Sequence, residues 1–123
     1  MFKNKKLNKF KENKYELLKK SDVLIVPSQS HESFGLVIIE AMSVGVPVIA
    51  NNVGGIKEVI TSNEFGVLVK KNSIRDFSNS LIKLLTNKIK RKKIIKSAKK
   101  QFNIKFKASI MSQNYFKEIN KNV

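Results

Sequence analysis

Blocks of apolar and polar positions predict a strand, a helix and a second strand in the first half of the chain. The stretch DVLIVPS, residues 22–28, is an apolar run rich in β-branched residues that closes with a proline, which is typical of a buried parallel strand. Residues 33–44 predict a helix with Ser33 as its N-cap, and VPVIA, residues 46–50, predicts another short buried strand. Because strand–helix–strand units are almost always right-handed crossovers, we expect both strands to be parallel and the loops that follow them to converge at one sheet edge.

The later pattern predicts a third strand and a helical C-terminal part. The glycine pair Gly54–Gly55 opens a short predicted helix through Ile60, and residues 64–69 predict the strand. Ser73 and Asp76 have the spacing of a capping box before a helix. The apolar faces of three further helices are marked by Ile74, Phe77, Leu81, Leu84 and Leu85, by Ile94, Ile95, Ala98 and Phe102, and by Ile104, Ala108, Met111, Tyr115 and Ile119. The sequence therefore predicts an α/β fold, a Rossmann-like parallel sheet flanked by helices with a helical C-terminal tail.

Length and composition predict one domain in the cytoplasm. We divide the 123 residues into a basic N-terminal segment with a short helix, residues 1–20, and one domain, residues 21–123. The chain has no cysteine, which excludes disulfides and thiolate metal sites. No apolar run approaches the ~20 residues of a membrane span, and the Lys/Asn-rich start lacks the apolar region of a signal peptide. We expect a cytoplasmic protein, with a peripheral position at the inner membrane face left open.

The net charge of +16 raises the question of a polyanionic partner. Residues 21–69 contain more acidic than basic residues, so the positive excess lies in the two flanks. Of the 25 basic residues only Arg75 and Arg91 are arginine, whereas sites that recognise phosphates and bases rely on the planar guanidinium. The composition favours a solvated basic face. No nucleic-acid partner is expected, and weak contact with an anionic membrane is the intermediate interpretation.

Two carboxylates flank the start of the first predicted helix. Glu40 lies eight positions after Glu32, which in a helix corresponds to ~12 Å along the axis. This distance is too long for the pair to act on one scissile bond. Between them, the backbone N–H groups of Phe34, Gly35 and Leu36 carry the positive end of the helix dipole, which suits an anion. A ligand with hydroxyls at both ends and a diphosphate in the middle, such as a nucleotide-sugar, matches this order. Taken alone, both glutamates are better interpreted as exposed helix-face carboxylates, because Glu is common at such positions.

A resemblance to a known family supports the nucleotide-sugar interpretation. The stretch PSQSHESFGLVIIEAMSVGVPVIANNVGGIKEVI, residues 27–60, followed by FGVLV, closely resembles the donor-binding domain of family 4 (group 1) retaining glycosyltransferases. The hallmark of that family is two glutamates separated by seven residues, and the resemblance extends from Ser21 to about Leu85. It implies the C-terminal domain of a GT-B fold, which binds a nucleotide-diphosphate sugar and needs no metal.

The resemblance also implies roles for individual residues. Glu32, the predicted catalytic residue, would contact the hydroxyls of the donor hexose, and Glu40 would hydrogen-bond the ribose. The other donor-binding residues that it implies are Ser33, Phe34, Gly35, Leu36, Gly54 and Gly55. Glu58, which follows the glycine pair, is interpreted as a structural partner of that turn. No cofactor is expected beyond the donor substrate, a UDP- or GDP-sugar.

Two elements of the family pattern are missing from the sequence. The basic pair that grips the pyrophosphate has no assignable counterpart in residues 1–20, and the acceptor-binding N-terminal domain of the GT-B fold is absent. We therefore expect an N-terminal glycosyltransferase domain supplied by another chain. Three hypotheses follow: the donor-binding half of a hexosyltransferase that acts with retention, a truncated and inactive nucleotide-sugar-binding module, and, less favoured, a basic domain that binds nucleic acid or an anionic membrane.

Overall fold

A computed structural model of the chain describes residues 14–27, 35–70 and 73–107. Helices and strands alternate through these ranges and are numbered here in chain order. They are α1 Lys14–Lys20, β1 Leu24–Val26, α2 Gly35–Val44, β2 Val48–Asn51, α3 Ile56–Val59, β3 Val67–Val69, α4 Ile74–Thr86 and α5 Lys88–Gln101, followed by a π-helical segment, Phe102–Phe106.

The three strands form one parallel sheet in the order β1-β2-β3. Val26 of β1 lies opposite Ala50 of β2, and Asn51 lies opposite Val69 of β3. The fold is α/β, with helices on both faces of the sheet, as the sequence predicts. Within the described ranges β1 pairs only with β2, so β1 is an edge strand.

Each face of the sheet has its own apolar layer because successive strand side chains point to opposite faces. Val48 and Ala50 point to the first face, where α1, α2 and α3 contribute most of the layer. Ile49 points to the second face, where it packs with residues of α4 and α5. The fully buried β2 explains why its sequence is continuously apolar. Ile25 in the middle of β1 is 43% exposed, because α4, on the same face, contacts β2 and β3 rather than the edge strand.

The second strand starts later than predicted, at Val48 rather than Val46. The N–H of Val46 donates to Ala41 O at 3.0 Å and that of Gly45 to Met42 O, which ends α2 in a Schellman motif. Gly45 has a φ of 80°, the left-handed conformation that this motif requires. Val46 is therefore committed to the helix end and is not available to the sheet.

The third strand is also shorter than the predicted 64–69. Phe65 N donates to Ser62 O at 3.1 Å, and Ser62 Oγ accepts from Glu64 N at 3.3 Å, so Glu64 and Phe65 belong to a turn. The strand itself begins at Val67. The serine at the start of the turn competes for backbone donors that a longer strand would have used.

Two of the three predicted helices of the C-terminal part are present, as α4 and α5, with one cap confirmed. Ser73 Oγ accepts from Asp76 N at 3.3 Å and caps α4, as the sequence predicts. Asn87 alone separates α4 from α5, and its Oδ1 caps α5 by accepting from Lys90 N at 2.9 Å. The Ser33 cap, and the predicted last helix beyond Lys107, lie outside the described residues.

The segment before the sheet joins the same core. Leu18 of α1 is buried and packs with the apolar layer on the first face of the sheet, while Tyr15 and Leu17 are about half exposed. The division at residue 20 stays a prediction. Among the described helices, not one combines the length and the apolar character needed to cross a bilayer.

Candidate functional site at the carboxyl edge of the sheet

The carboxyl ends of the three parallel strands lie at one edge of the sheet, called the carboxyl edge here. The chain leaves this edge after Val26, after Asn51 and after Val69. Because α2 runs back between two parallel strands, its amino end at Gly35 returns to the same edge. A Cβ placed on Gly35 would lie 3.4 Å from Cγ2 of Val59, so the start of α2 packs beside α3. The carboxyl ends of β1 and β2 and the start of α2 thus lie at the same edge, while the loop of residues 28–33 lies outside the described residues and its convergence with the glycine turn stays a prediction.

The glycine pair forms a tight turn between β2 and α3. Val53 N donates to Asn51 O at 2.9 Å, and Ile56 N donates to Val53 O at 3.2 Å. Gly54, within the second of these turns, has a φ of 51°, which a residue with a Cβ adopts only with strain. Gly55 is exposed and immediately precedes α3. Both glycines thus present bare backbone at the carboxyl edge, where a ligand can approach closely.

Glu58 lies one turn after the glycine pair. Its side chain is exposed, and its Oε2 is 4.0 Å from the position that a Cβ on Gly55 would occupy. Its backbone N–H donates to Gly55 O at 3.1 Å. Among the described residues, the Glu58 carboxylate accepts no hydrogen bond from the backbone amides of the glycine turn. The carboxylate instead adds a negative charge beside the exposed backbone of Gly55.

The amino end of α2 carries backbone N–H groups that have no acceptor within the helix. The first turn of α2 contains no acidic residue that would compete for them. Leu36 in this turn is 63% exposed, which is unusual for a large apolar side chain and leaves the turn accessible. Glu32, Ser33 and Phe34 lie outside the described residues, so their predicted roles stay predictions.

Glu40 is one of two polar residues that are buried in the described ranges. It lies ~7.5 Å along α2 from Gly35 and is only 8% exposed, and it has an interaction partner. As a simple helix-face carboxylate, the alternative that the sequence left open, it would have been exposed. Its burial results from α2 itself, which packs against β2, α1, α3 and α5 and is apolar around most of its circumference.

Asn51 is the other buried polar residue, and our reading of the sequence did not single it out. It is the last residue of the central strand, is 3% exposed and also has an interaction partner. In the sequence, Asn51 and Asn52 look like two equivalent polar loop residues before the glycine pair. Only the register of the strand in the sheet distinguishes them. Asn51 pairs with Val69 in the sheet while Asn52 is exposed. A buried amide at this edge can orient the loops around it.

The residues described here do not form a metal centre. Across ranges 14–27, 35–70 and 73–107, no three His, Cys, Asp or Glu side chains come together in a way that could hold an ion. Among the described residues, the carboxyl edge and the helices beside it offer backbone N–H groups, the Glu40 and Glu58 carboxylates, and the Asn51 amide.

Comparison with known families identifies this arrangement. The model of the family described as glycosyl transferases group 1 matches residues 4–101, which include every described element of the sheet and its helices up to α5. The chain belongs to the group 1 glycosyl transferases. The group 1 match spans β1, α2, β2 and the glycine turn, the elements that form the carboxyl edge.

Individual relatives of this group 1 chain are glycosyltransferases by name. It is 37% identical over 89 residues to an uncharacterised glycosyltransferase of Methanocaldococcus jannaschii, covering 72% of this chain and 25% of that protein. It is 45% identical over 71 residues to the D-inositol 3-phosphate glycosyltransferase of Rhodococcus opacus, covering 58% of this chain and 16% of that one. The chain thus spans a quarter or less of the length of these relatives.

A solved structure shows the same fold. HepE of Anabaena, in its complex with UDP-glucose, superimposes with a TM-score of 0.79 and 24% identity over 86% of this chain and 29% of HepE. At that identity the likeness concerns the fold alone. The three-stranded sheet and its helices correspond to part of a GT-B glycosyltransferase, which agrees with the predicted fold class.

Proposed function

We propose that this chain is the donor-binding part of a retaining glycosyltransferase of family 4, the finer assignment within group 1. The complete assembly would transfer a hexosyl group from a nucleotide-diphosphate sugar to a hydroxyl acceptor. One observation carries the proposal: the region that matches the group 1 family includes the carboxyl edge, whose geometry suits a nucleotide-sugar. There the amino end of α2 lies beside Val59 of α3, the helix that follows the glycine turn, and Glu40 is buried one and a half turns along α2.

The donor would extend along α2. Its diphosphate would bind at the N–H groups of the helix start, among them those of Gly35 and Leu36, because the positive end of the helix dipole favours negative charge. Glu40 would accept hydrogen bonds from the ribose hydroxyls, and Glu32 from the hexose hydroxyls. Carboxylates suit this task since each oxygen accepts more than one hydrogen bond.

The glycine turn would face the transferred sugar. Gly54 and Gly55 lack side chains, so the ring can approach the backbone there. During transfer the bond from the anomeric carbon to the diphosphate breaks, and a bond to the acceptor oxygen forms as that hydroxyl loses its proton. The helix amides would stabilise the charge that develops on the departing diphosphate, which is where preorganised donors accelerate such reactions most.

The acceptor half of the reaction would come from a further domain. The matched relatives are at least four times longer than the region they share with this chain, and retaining transfer in the GT-B fold takes place between two domains. We propose that an N-terminal glycosyltransferase domain, on the same or on another polypeptide, completes the cleft and brings the basic pair for the pyrophosphate. A cytoplasmic location belongs to the same proposal.

The second candidate is a module that binds the donor and does not turn it over. The short span relative to the matched relatives favours it for the region described here on its own. The two candidates differ in one measurement, hydrolysis or transfer of a bound UDP- or GDP-sugar, since binding without turnover identifies the module.

Calorimetric titration with UDP-glucose and with a GDP-sugar tests the donor site. We expect one of them to bind, UDP or GDP to bind more tightly than the parent nucleoside, and Glu40→Gln to weaken binding about tenfold through loss of charged hydrogen bonds. Glu32→Gln should act similarly, whereas Glu64→Gln, an exposed carboxylate in the turn before β3, is the matched control and should change nothing. Equal affinities for Glu40→Gln and Glu64→Gln would remove the support for the site.

A further inference from the structure

The most strongly charged described surface lies on α5, away from the carboxyl edge. Helix α5 has the sequence KIKRKKIIKSAKKQ, with no acidic and no aromatic residue. Ile94 and Ala98 are buried and fix the inner side of the helix. At about 100° per residue, the opposite sector of about 140° holds a single apolar side chain among lysines. This sector, the basic face, consists of Lys88, Ile89, Lys92, Lys93, Lys96, Lys99 and Lys100, all exposed.

The basic face lies at the amino edge of the sheet, opposite the candidate donor site. A Cβ on Gly45, which links α2 to β2, would be 3.0 Å from Cε of Lys99 and 3.4 Å from Cγ2 of Ile95. On the other side, Asn63 and Glu64, in the turn before β3, line a shallow depression together with Lys93 and other residues of α5. Both contacts are with segments that enter β-strands, so α5 crosses the amino edge.

The one arginine of α5 is already used within the fold. Arg91 Nη1 donates to Leu84 O at 3.2 Å and also to Leu85 O, which caps the carboxyl end of α4. The basic face therefore offers ammonium groups but no guanidinium fork and no ring on which a base could stack. Recognition of nucleic acid relies on both of those features, whereas a diffuse layer of anionic headgroups requires only point charges.

An exposed apolar side chain accompanies these lysines. Ile89, at the centre of the basic face, is 71% exposed. Large apolar side chains in a lysine-rich surface are unfavourable in water and gain free energy when they enter the headgroup region of a bilayer. They contribute nothing to contact with a phosphodiester backbone.

We infer that the basic face of α5 docks on an anionic lipid bilayer, with Ile89 inserted among the headgroups. Its charge complements phosphatidylglycerol-type headgroups, and clusters of four to eight lysines are of the size that attracts proteins to such surfaces. The contact is at the amino edge, so it leaves the carboxyl edge open. The inference does not depend on donor binding, and either can fail without the other.

Cosedimentation of the full chain with vesicles tests the electrostatic part. We expect binding to phosphatidylcholine vesicles that contain about a third phosphatidylglycerol, and none to phosphatidylcholine alone. Replacing Lys92, Lys93, Lys96 and Lys100 with Gln should lower the partition coefficient about 600-fold, at roughly fivefold per lysine near the surface. The matched control, with Gln at Lys19, Lys20, Lys57 and Lys70, removes the same charge elsewhere. Losses of equal size in both variants would overturn the inference.

The apolar part separates lipid from nucleic acid. Ile89→Ser should lower vesicle binding about tenfold, while Ile104→Ser, at a 61% exposed isoleucine outside the basic face, should leave it unchanged. Binding to duplex and single-stranded oligonucleotides, followed by fluorescence anisotropy, should be weaker than vesicle binding at physiological salt. Tighter binding to oligonucleotides, or vesicle binding insensitive to Ile89→Ser, would contradict lipid docking.

Discussion

Gly54 and Gly45 turn the chain at opposite edges of the same sheet, and both have positive φ. Around Gly54, at the carboxyl edge, are the open start of α2, the exposed Glu58 and the bare backbone of Gly55. Around Gly45, at the amino edge, are Ile95 and Lys99 of the lysine-rich α5. The carboxyl edge exposes backbone N–H groups and carboxylates. The amino edge is covered by α5, which exposes its lysines there.

The difference shows that the high net charge says little about the candidate site. The strongly basic helix is at the edge away from the donor-binding elements, and those elements lie in the stretch where acidic residues outnumber basic ones. Total charge therefore describes a surface of this chain, and the chemistry at the carboxyl edge depends on a few residues that contribute almost nothing to that total.

The largest expected effect comes from the apolar layer on the second face of the sheet, where Leu84 packs with Ile49 and Val69 of the strands and Ile94 of α5. Leu84 is fully buried, so Leu84→Ala should lower the free energy of unfolding by about 2–5 kcal/mol and weaken donor binding and vesicle binding together. Leu85→Ala, at the half-exposed neighbour, should lower it by less than about 1 kcal/mol. Urea unfolding measures the free energy of unfolding of both variants. An unchanged midpoint for Leu84→Ala would mean that the two edges do not depend on this apolar layer.

The two glycines provide a sharper comparison. Gly54→Ala and Gly45→Ala should each lower the free energy of unfolding by about 1–2 kcal/mol, because alanine is strained at positive φ. Only Gly54→Ala should also reduce affinity for the nucleotide-sugar, measured by calorimetry at a temperature where both variants are folded. If Gly45→Ala reduced donor affinity as much, the assignment of the ligand to the carboxyl edge would be wrong.

The smallest expected effects are at the two helix caps. Ser73→Ala, just after β3, and Asn87→Ala, at the start of α5, each remove one side-chain acceptor from a helix amide and should lower stability by about 1 kcal/mol. Thermal unfolding of both variants measures this. The Asn87 variant should in addition loosen the first turn of α5 and weaken vesicle binding slightly, whereas a weaker response to vesicles in Ser73→Ala would argue against the separation of the two edges.

The fold could be predicted from the sequence wherever local chemistry and packing agree. The apolar runs of β1 and β2 and the Ser73 cap depend on residues within a few positions, and the structure contains all of them. The strand boundaries could not be predicted as well. Val46 looks like a strand residue, yet its N–H completes the Schellman motif of α2, a choice that depends on the geometry of the helix end.

The sequence predicted the outline of the candidate site but not all of its residues. The convergence of the two loops follows from the handedness of the crossover alone, and the position of Gly35 beside Val59 agrees with it. The burial of Asn51 was not predictable, because its exposure depends on strand register in the sheet rather than on any local pattern. Family resemblance supplied the roles of Glu32 and Glu40, which spacing alone left open.

The exposed Ile25 on β1 has a consequence for handling the protein. The outer side of this strand has unpaired N–H and C=O groups within the described part of the sheet, and an apolar side chain next to them favours addition of another strand. In a complete assembly a neighbouring segment can extend the sheet there. In concentrated solution without such a segment, we expect edge-to-edge self-association through β1, and the substitution Ile25→Lys should suppress it by placing a charge on that edge.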